Sequence, residues 1–372
     1  MEEFQAESLV IISLGAFILP LLAQRIKIPG IVLEIAYGIT VGPILGIVET
    51  SEFISGLAIL GFLLLMFLSG FEIELDTFRE KGVRTLALPM SIYLLTVATS
   101  FYLISNLGYP IFLALVLCTT SVDIVITILR SDDTIKTAYG QTLFMVALLA
   151  DILTLLAATV YASFIRAGGL SISNLNVILY FVVVILILRI IRRVAWWNPQ
   201  LFSRMFDGND PDELGIRSSL ALMLTLVGVS VIFDIEPILG AFLAGTIFES
   251  SLKGFSYGFL IPIFFINIGL NYDISVFSNT QFFVDVGYLF LIAVAVKFLP
   301  SILLIFSKIK FRDIIAGGFL LSARFSLIIA MAEIGVHLDL ISVELEQQII
   351  LLAVITATFS PILFRIFRSK AN

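Results

Sequence analysis

Four ionisable side chains interrupt runs of sequence that are otherwise apolar. They are Asp123 in "TTSVDIVITIL" (119–129), Asp151 in "MVALLADILTLLAAT" (145–159), Lys297 in "AVAVKFLPS" (293–301) and Arg324 in "LLSARFS" (320–326). At the centre of a bilayer each costs at least ~2.5–3.5 kcal/mol on insertion scales, so such groups mark an ion pathway, a proton relay or a pairing. Asp151 has no other ionisable residue on its helix face. Burial makes a carboxylate hold its proton more tightly, and an adjacent cation loosens that hold. Lys297 is the available cation, and the two together read as a carboxylate poised to exchange a proton for a metal cation near neutral pH. The plainer alternative is a static ion pair that locks two helices.

"TTSVD" and "LLSARFS" share a second property: each places hydroxyls and a charge at mid-run. Ser, Thr and Asp compete with the helix for backbone hydrogen bonds, so both segments are expected to be breaks. A broken helix frees carbonyls and N–H groups, which membranes tolerate only where they line a cavity or face protein. Asp123 and Arg324 can neutralise the helix-end dipoles such breaks create. Asp123 is therefore a dipole partner, a cation ligand or both, with packing as the alternative. Thr120, Ser121 and Asp123 supply oxygens of the kind a hard cation takes, and Ser322 flanks Arg324 in the second break. Elsewhere Glu34 and Glu333 are expected at the membrane interface, and "WWNP" (196–199) reads as an aromatic anchor.

The elements that must position these groups follow from composition. The 372 residues are 59% hydrophobic and 13% charged, with a mean hydropathy of +1.10. A soluble domain carries about a quarter charged residues, so the chain is an integral membrane protein. One Cys (Cys118) and one His (His337) rule out a disulfide framework or a multi-ligand zinc site. The net charge of −6 is spread over short loops and suggests no nucleic-acid partner. The N-terminal "MEEFQAES" has no basic segment, so the first apolar run reads as a retained span.

A span needs ~20 mostly apolar residues, which gives thirteen candidates. They run over 7–24, 31–48, 54–75, 84–106, 110–129, 138–165, 174–192, 215–233, 236–250, 254–270, 282–307, 312–336 and 346–367. Short cytoplasmic loops are enriched in Lys and Arg. With the N-terminus outside, 19 of the 22 basic residues fall in inside loops or the span ends that adjoin them, Arg166 alone lies outside, and Lys297 and Arg324 lie near span centres. The C-terminus is then inside, as for a prokaryotic plasma-membrane protein. Span three, "LMFLSGFEIELD", resembles span ten, "IFFINIGLNYD"; span two, "PGIVLEIAYG", resembles span nine, "PILGAFLAG". Both pairs are offset by seven spans, and an odd offset inverts the second copy. Spans 1–6 and 8–13 thus read as inverted repeats. Span seven, followed by the loop over about 193–214, connects them. No regulatory or nucleotide-binding domain is expected after Asn372.

Over nearly its whole length the chain resembles the membrane domain of monovalent cation:proton antiporters of the Kef and NapA branch. The matching stretches are "LLMFLSGFEIELD", "TTSVDIVITIL", "GQTLFMVALLADILTLLAA", "LGAFLAGTIFES", "IPIFFINIGLNYD", "VKFLPS" and "LLSARFSLIIAMAEIG". The resemblance implies an all-α polytopic fold like that of NapA or NhaA, with thirteen helices, two inverted six-helix repeats and two crossed broken helices. It implies that 1–75 and 215–270 form a scaffold that dimerises, that 84–165 and 282–367 form the ion-translocating core, and that 174–214 links them. Asp151 takes the place of the family's second, ion-binding Asp, and Lys297 that of the basic residue facing the acidic pair. Thr120 and Ser121 match the Thr-Ser beside the first break, and Arg324 the Arg of the second.

Three positions depart from that pattern. Ala150 stands where the first member of the acidic pair is usual, Asp123 where Gly is usual, and Phe325-Ser326 where Gly-Glu is usual. Asp123 would then replace the lost carboxylate, pairing with Lys297 or binding the cation beside Asp151. The expected activity is elevator-type alternating-access exchange of Na+ or K+ for H+ at Asp151, serving pH homeostasis, with no cofactor and a homodimeric assembly. The alternatives are a sodium-coupled organic anion symporter of related fold and a non-transporting sensor. An intramembrane hydrolase is not expected, because HExxH is absent and neither Asp has the Gly-x-Gly-Asp context of paired-aspartate enzymes.

Overall fold

In lipid every backbone polar group must find its partner within the protein, so an apolar run that crosses has to become helix. The computed structural model describes residues 6–26, 29–71, 82–166, 168, 175–197, 213–246, 252–307 and 309–368. Every regular element among them is helical. In chain order these are α1 (Ala6–Ile26), α2 (Gly30–Ile39, continued by a π-helical turn to Ile44), α3 (Glu52–Phe71), α4 (Gly82–Leu107), α5 (Ile111–Cys118), α6 (Val122–Ser131), α7 (Ala138–Arg166) and α8 (Leu175–Trp197). There follow α9 (Leu214–Ile232), α10 (Pro237–Gly245), α11 (Lys253–Leu270), α12 (Thr280–Ser301, continued by a 3₁₀ segment to Ser307), α13 (Phe311–Leu321), α14 (Ser326–His337) and α15 (Val343–Phe367).

Among the described residues nine helices are long and apolar enough to cross a membrane, with α5 and α6 taken together. There are ten if α13 and α14, bent by 45°, count as one span. Two further helices are apolar but shorter, Gly30–Ile44 and Asn176–Ile191, and α10 has nine residues. Each of the thirteen apolar runs therefore contains helix. The end of the third, "EIELD" (72–76), and most of the 193–214 loop lie outside the described residues. Large apolar side chains point outward along the helices, among them Phe17 at 69% exposure, Ile190 at 61% and Phe306 at 77%. Water would oppose that arrangement and hydrocarbon does not.

The chain divides into two compact units. Unit 1 comprises Met1–Glu74 and Thr159–Asn271, and unit 2 comprises Leu75–Ala158 and Tyr272–Asn372. In unit 1, glycines let helix backbones touch. A Cβ on Gly245 of α10 would meet the Phe67 carbonyl of α3, and one on Gly70 of α3 would meet the Phe242 carbonyl of α10. Gly38 of α2 and Gly269 of α11 pack in the same way against the carbonyls of Ile266 and Ile35. Small residues at such crossings are how membrane helices gain packing without a hydrophobic drive between them. Gly245→Ala is expected to lower the melting temperature of the purified protein, through overpacking strain of about 1–3 kcal/mol. Gly228→Ala, inside α9 where nothing stands within 4 Å of the new Cβ, should not lower it, since Ala favours helix over Gly. Glu34, expected at the interface, is buried at 4% exposure, because α2 packs on both α1 and α11. Glu333 is exposed.

Unit 2 holds α4–α6, most of α7 and α12–α15, and with them every ionisable residue singled out at mid-run.

Candidate functional site

Both expected breaks are present in unit 2. The first separates α5 from α6 at residues 119–121, where Thr119 (φ −59°, ψ 152°) and Ser121 (φ −77°, ψ 112°) leave helical geometry. The Thr119 hydroxyl turns back to the Val116 carbonyl at 2.8 Å, the local competition that its residue type predicts. The second separates α13 from α14 at 322–325, where Phe325 has φ −152° and ψ −91° and the Ser322 hydroxyl donates to the Gly318 carbonyl at 2.8 Å. The breaks satisfy one another. The Ser121 N–H donates to the Ala323 carbonyl at 2.9 Å, and the Thr120 hydroxyl donates to the Leu321 carbonyl at 3.1 Å.

The two cations serve one end of the first break. Arg324 is fully buried; its Nη2 donates to the carbonyls of Leu117 and Ala293, each at 2.9 Å, and its Nη1 to that of Ser322 at 3.2 Å. The Lys297 Nζ donates to the Cys118 carbonyl at 2.5 Å. Leu117 and Cys118 are the last residues of α5, so both positive charges stand at the negative end of its dipole. Here the structure corrects an expectation: Lys297 forms an ion pair with neither Asp151 nor Asp123, and among the described residues no carboxylate pairs with either cation. The physical reason is twofold. Ala150 offers no carboxylate, and unpaired carbonyls at a helix end in hydrocarbon cost several kcal/mol each.

The carboxylates gather at the other end. Asp151 lies at the middle of α7 and is 8% exposed. The backbone N–H of Val122, the first residue of α6, donates toward its carboxylate, and Asp123 and Lys297 are the charges that act on it. Asp123 occupies the first turn of α6 and is half-buried. Both anions thus meet the positive end of a helix dipole. Two buried oxygens there have no hydrogen-bond partner, Asp151 Oδ1 and the Ser121 hydroxyl. Buried polar atoms are nearly always paired, and an exception calls for an explanation such as a ligand that the site takes up. The Thr120 hydroxyl spends its proton on Leu321 and keeps only lone pairs for a ligand.

Sequence reasoning missed two contributors. Cys118 is fully buried and its carbonyl anchors Lys297; its place just before the break is the available signal. Thr154, fully buried and three residues beyond Asp151, shares a hydrogen bond of 3.3 Å with Tyr93 of α4, and its i+3 spacing puts it on the Asp151 face. Among the described residues no group of three or more His, Cys, Asp or Glu could hold a resident metal. The arrangement fits transient binding of a small cation or a proton.

Comparison with known proteins points the same way. The sequence pattern of the family described as "Sodium/hydrogen exchanger, transmembrane" matches residues 12–368. The chain is 31% identical to the YjbQ protein of Bacillus subtilis (strain 168) across 98% of its own length and 63% of that protein's, so it spans less than two thirds of that relative. It is 25% identical to the Na(+)/H(+)-K(+) antiporter GerN of Bacillus cereus, covering 91% of this chain and 90% of GerN. It is 24% identical to a Na(+)/H(+) antiporter of Enterococcus hirae, covering 94% of each. The fold is similar to that of the sodium proton antiporter MjNhaP1 from Methanocaldococcus jannaschii, with a TM-score of 0.61 and 17% identity over 95% of this chain and 94% of that one.

Proposed function

The chain belongs to the sodium/hydrogen exchanger family, and we propose that it exchanges Na+ or K+ for H+ by secondary active antiport, with Asp151 carrying each in turn. The observation that carries this reading is the separation of charge across one helix break. Lys297 and Arg324 are held by the carbonyls that end α5, which leaves Asp151 and Asp123 without a cation at the start of α6. The orphaned Asp151 Oδ1 and Ser121 hydroxyl are oxygens that a dehydrated cation would satisfy. Proton and cation compete for the same carboxylate, so binding one displaces the other and coupling needs no further device.

The wider architecture we propose is thirteen spans, with the N-terminus outside, the C-terminus cytoplasmic and two inverted repeats. It is supported by the paired glycine contacts of unit 1. Exchanging span two with nine and three with ten turns the α2–α11 contact into the α10–α3 contact, as an internal twofold would. The two mutually bonded breaks of unit 2 support the crossed broken helices. Unit 2 then acts as the ion-carrying core and unit 1 as the scaffold of a homodimer, the core moving as an elevator.

Purified protein in proteoliposomes with a trapped pH dye tests this. Adding Na+, Li+ or K+ should move protons out of acid-loaded vesicles, and the responding cation names the substrate. A folded wild type inert to all three would overturn the proposal. Asp123 has the finer role of second cation ligand. Asp123→Asn, which keeps the shape and removes the charge, is expected to raise the half-saturating cation concentration about tenfold or more, since each 1.4 kcal/mol of lost interaction is a factor of ten. Unchanged half-saturation and pH profile would remove Asp123 from the site.

A further inference from the structure

One basic residue stands apart from the inside-facing charges, and exchange at Asp151 makes no use of it. Arg166 ends α7. With 29 residues, α7 is ~43 Å long against a hydrocarbon core of ~30 Å. The chain passes between the two units at three points. The first, 74–75, lies outside the described residues; the second, Asn271–Tyr272, is not helical; the third, Ala158–Thr159, lies inside α7. Among the described residues α7 is thus the one continuous helix that carries the chain from one unit into the other. It holds Asp151 in unit 2 and ends in unit 1.

Its end in unit 1 is fixed at two points. Arg166 Nη2 forms a short ion pair with the Glu236 carboxylate, whose side chain is 8% exposed, and Nη1 donates to the Asp234 carbonyl at 3.0 Å. Both acceptors come from the four residues between α9 and α10. Asp234, at φ +56°, is left-handed, a conformation that Asp tolerates better than most residues, and Ile235 N–H closes the end of α9 on the Ser230 carbonyl at 2.8 Å. Glu236 is the N-cap residue of α10 but makes no side-chain cap bond; its carboxylate goes to Arg166 instead. A single contact would let α7 swivel, whereas two acceptors in a tight loop fix its direction.

We propose that Arg166 is a positioning residue for exchange. With Glu236 and the Asp234 carbonyl it locks the end of α7 into unit 1, so that α7 bends over Ala157–Thr159 and does not slide when the unit bearing Asp151 moves. The inference rests on the elevator reading above. Ala157–Thr159 spans the point at which α7 leaves unit 2 for unit 1, and the clamp turns motion of unit 2 into a defined displacement of Asp151.

The test uses the full chain in proteoliposomes. Arg166→Gln and Glu236→Gln should each lower the turnover of exchange severalfold with the half-saturating cation concentration unchanged, because neither touches the ion. The charge-swapped double variant R166E/E236R should recover turnover in part, because the ion pair returns while the bond to the Asp234 carbonyl does not. A single variant at wild-type turnover, a shift confined to half-saturation, or a folded swap that recovers nothing would overturn the clamp. A second measurement does not depend on the swap folding. In the R166C/E236C double variant, with the buried Cys118 left in place, a short bifunctional thiol reagent should join the two positions and leave exchange running. Arrest on crosslinking would mean that this end of α7 has to move, and the proposal would fall. Wild type run in parallel separates the two ideas: its inactivity counts against antiport, while unaffected variants beside an active wild type count against the clamp.

Discussion

Asp151→Asn is expected to abolish cation-driven proton movement in a protein that still folds. Asn keeps the size of the side chain and can still accept from the Val122 N–H that meets Asp151 at the start of α6, so the break should survive. What disappears is the charge. Removing one partner of a buried charge interaction typically costs 2–5 kcal/mol or more, and each 1.4 kcal/mol is tenfold. Cation affinity should therefore fall by about 100-fold or more, and the amide has no proton to carry on the return step. The trapped-dye assay reads both losses as one, a signal no larger than leak. Competition gives a graded companion result in the wild type. Lowering the pH should raise the half-saturating cation concentration and leave the maximal rate unchanged, because each proton bound occupies the group the cation needs. Exchange surviving in Asp151→Asn would move the site elsewhere.

Arg324→Met is expected to be the most destabilising single change at the breaks. Arg324 has no exposure, and its guanidinium joins three carbonyls, those of Leu117 and Ser322 at the two breaks and that of Ala293 within α12. Hydrogen bonds to a charged donor contribute about 1.5–3 kcal/mol each, and carbonyls left buried without a partner add their desolvation cost. Allowing for non-additivity, the loss is on the order of 4 kcal/mol, a large fraction of a typical folding stability of ~5–15 kcal/mol. Arg324→Lys should recover only part of it, since an ammonium is a point donor and cannot span the Leu117 and Ala293 carbonyls as the planar fork does. Melting curves of the purified proteins check this, with wild type most stable, then the Lys variant, then the Met variant. A Met variant that melts with wild type would show that Arg324 is not what holds the break together.

The two results separate what was legible from what was not. That Asp123, Asp151, Lys297 and Arg324 matter could be read from the chain, because a charge in an apolar run carries a cost that is local to its own segment. The sites of the breaks were legible for the same reason, since hydroxyls compete with the helix within a turn or so of themselves, as Thr119 does with Val116. The partner of Lys297 was not legible. A pairing with Asp151 follows from residue types, but the ammonium reaches the Cys118 carbonyl, and no residue type announces a free carbonyl. Glu34 failed likewise: a position about a turn from a span end predicts the interface, and packing of α2 between α1 and α11 buried it.

The sequence by itself determined that the chain lies in a membrane, that its apolar runs are helices, where two of them break and which charged side chains must be accounted for. These are consequences of solvent and of local hydrogen bonding, acting within a few residues. Only the tertiary structure decided that both cations serve the end of α5 while both carboxylates face the start of α6, and that the helix bearing Asp151 is anchored at Arg166 in the other unit. Those outcomes depend on which backbone atoms, separated by up to 207 positions in the chain as Arg324 is from Leu117, come within hydrogen-bond distance once the helices pack.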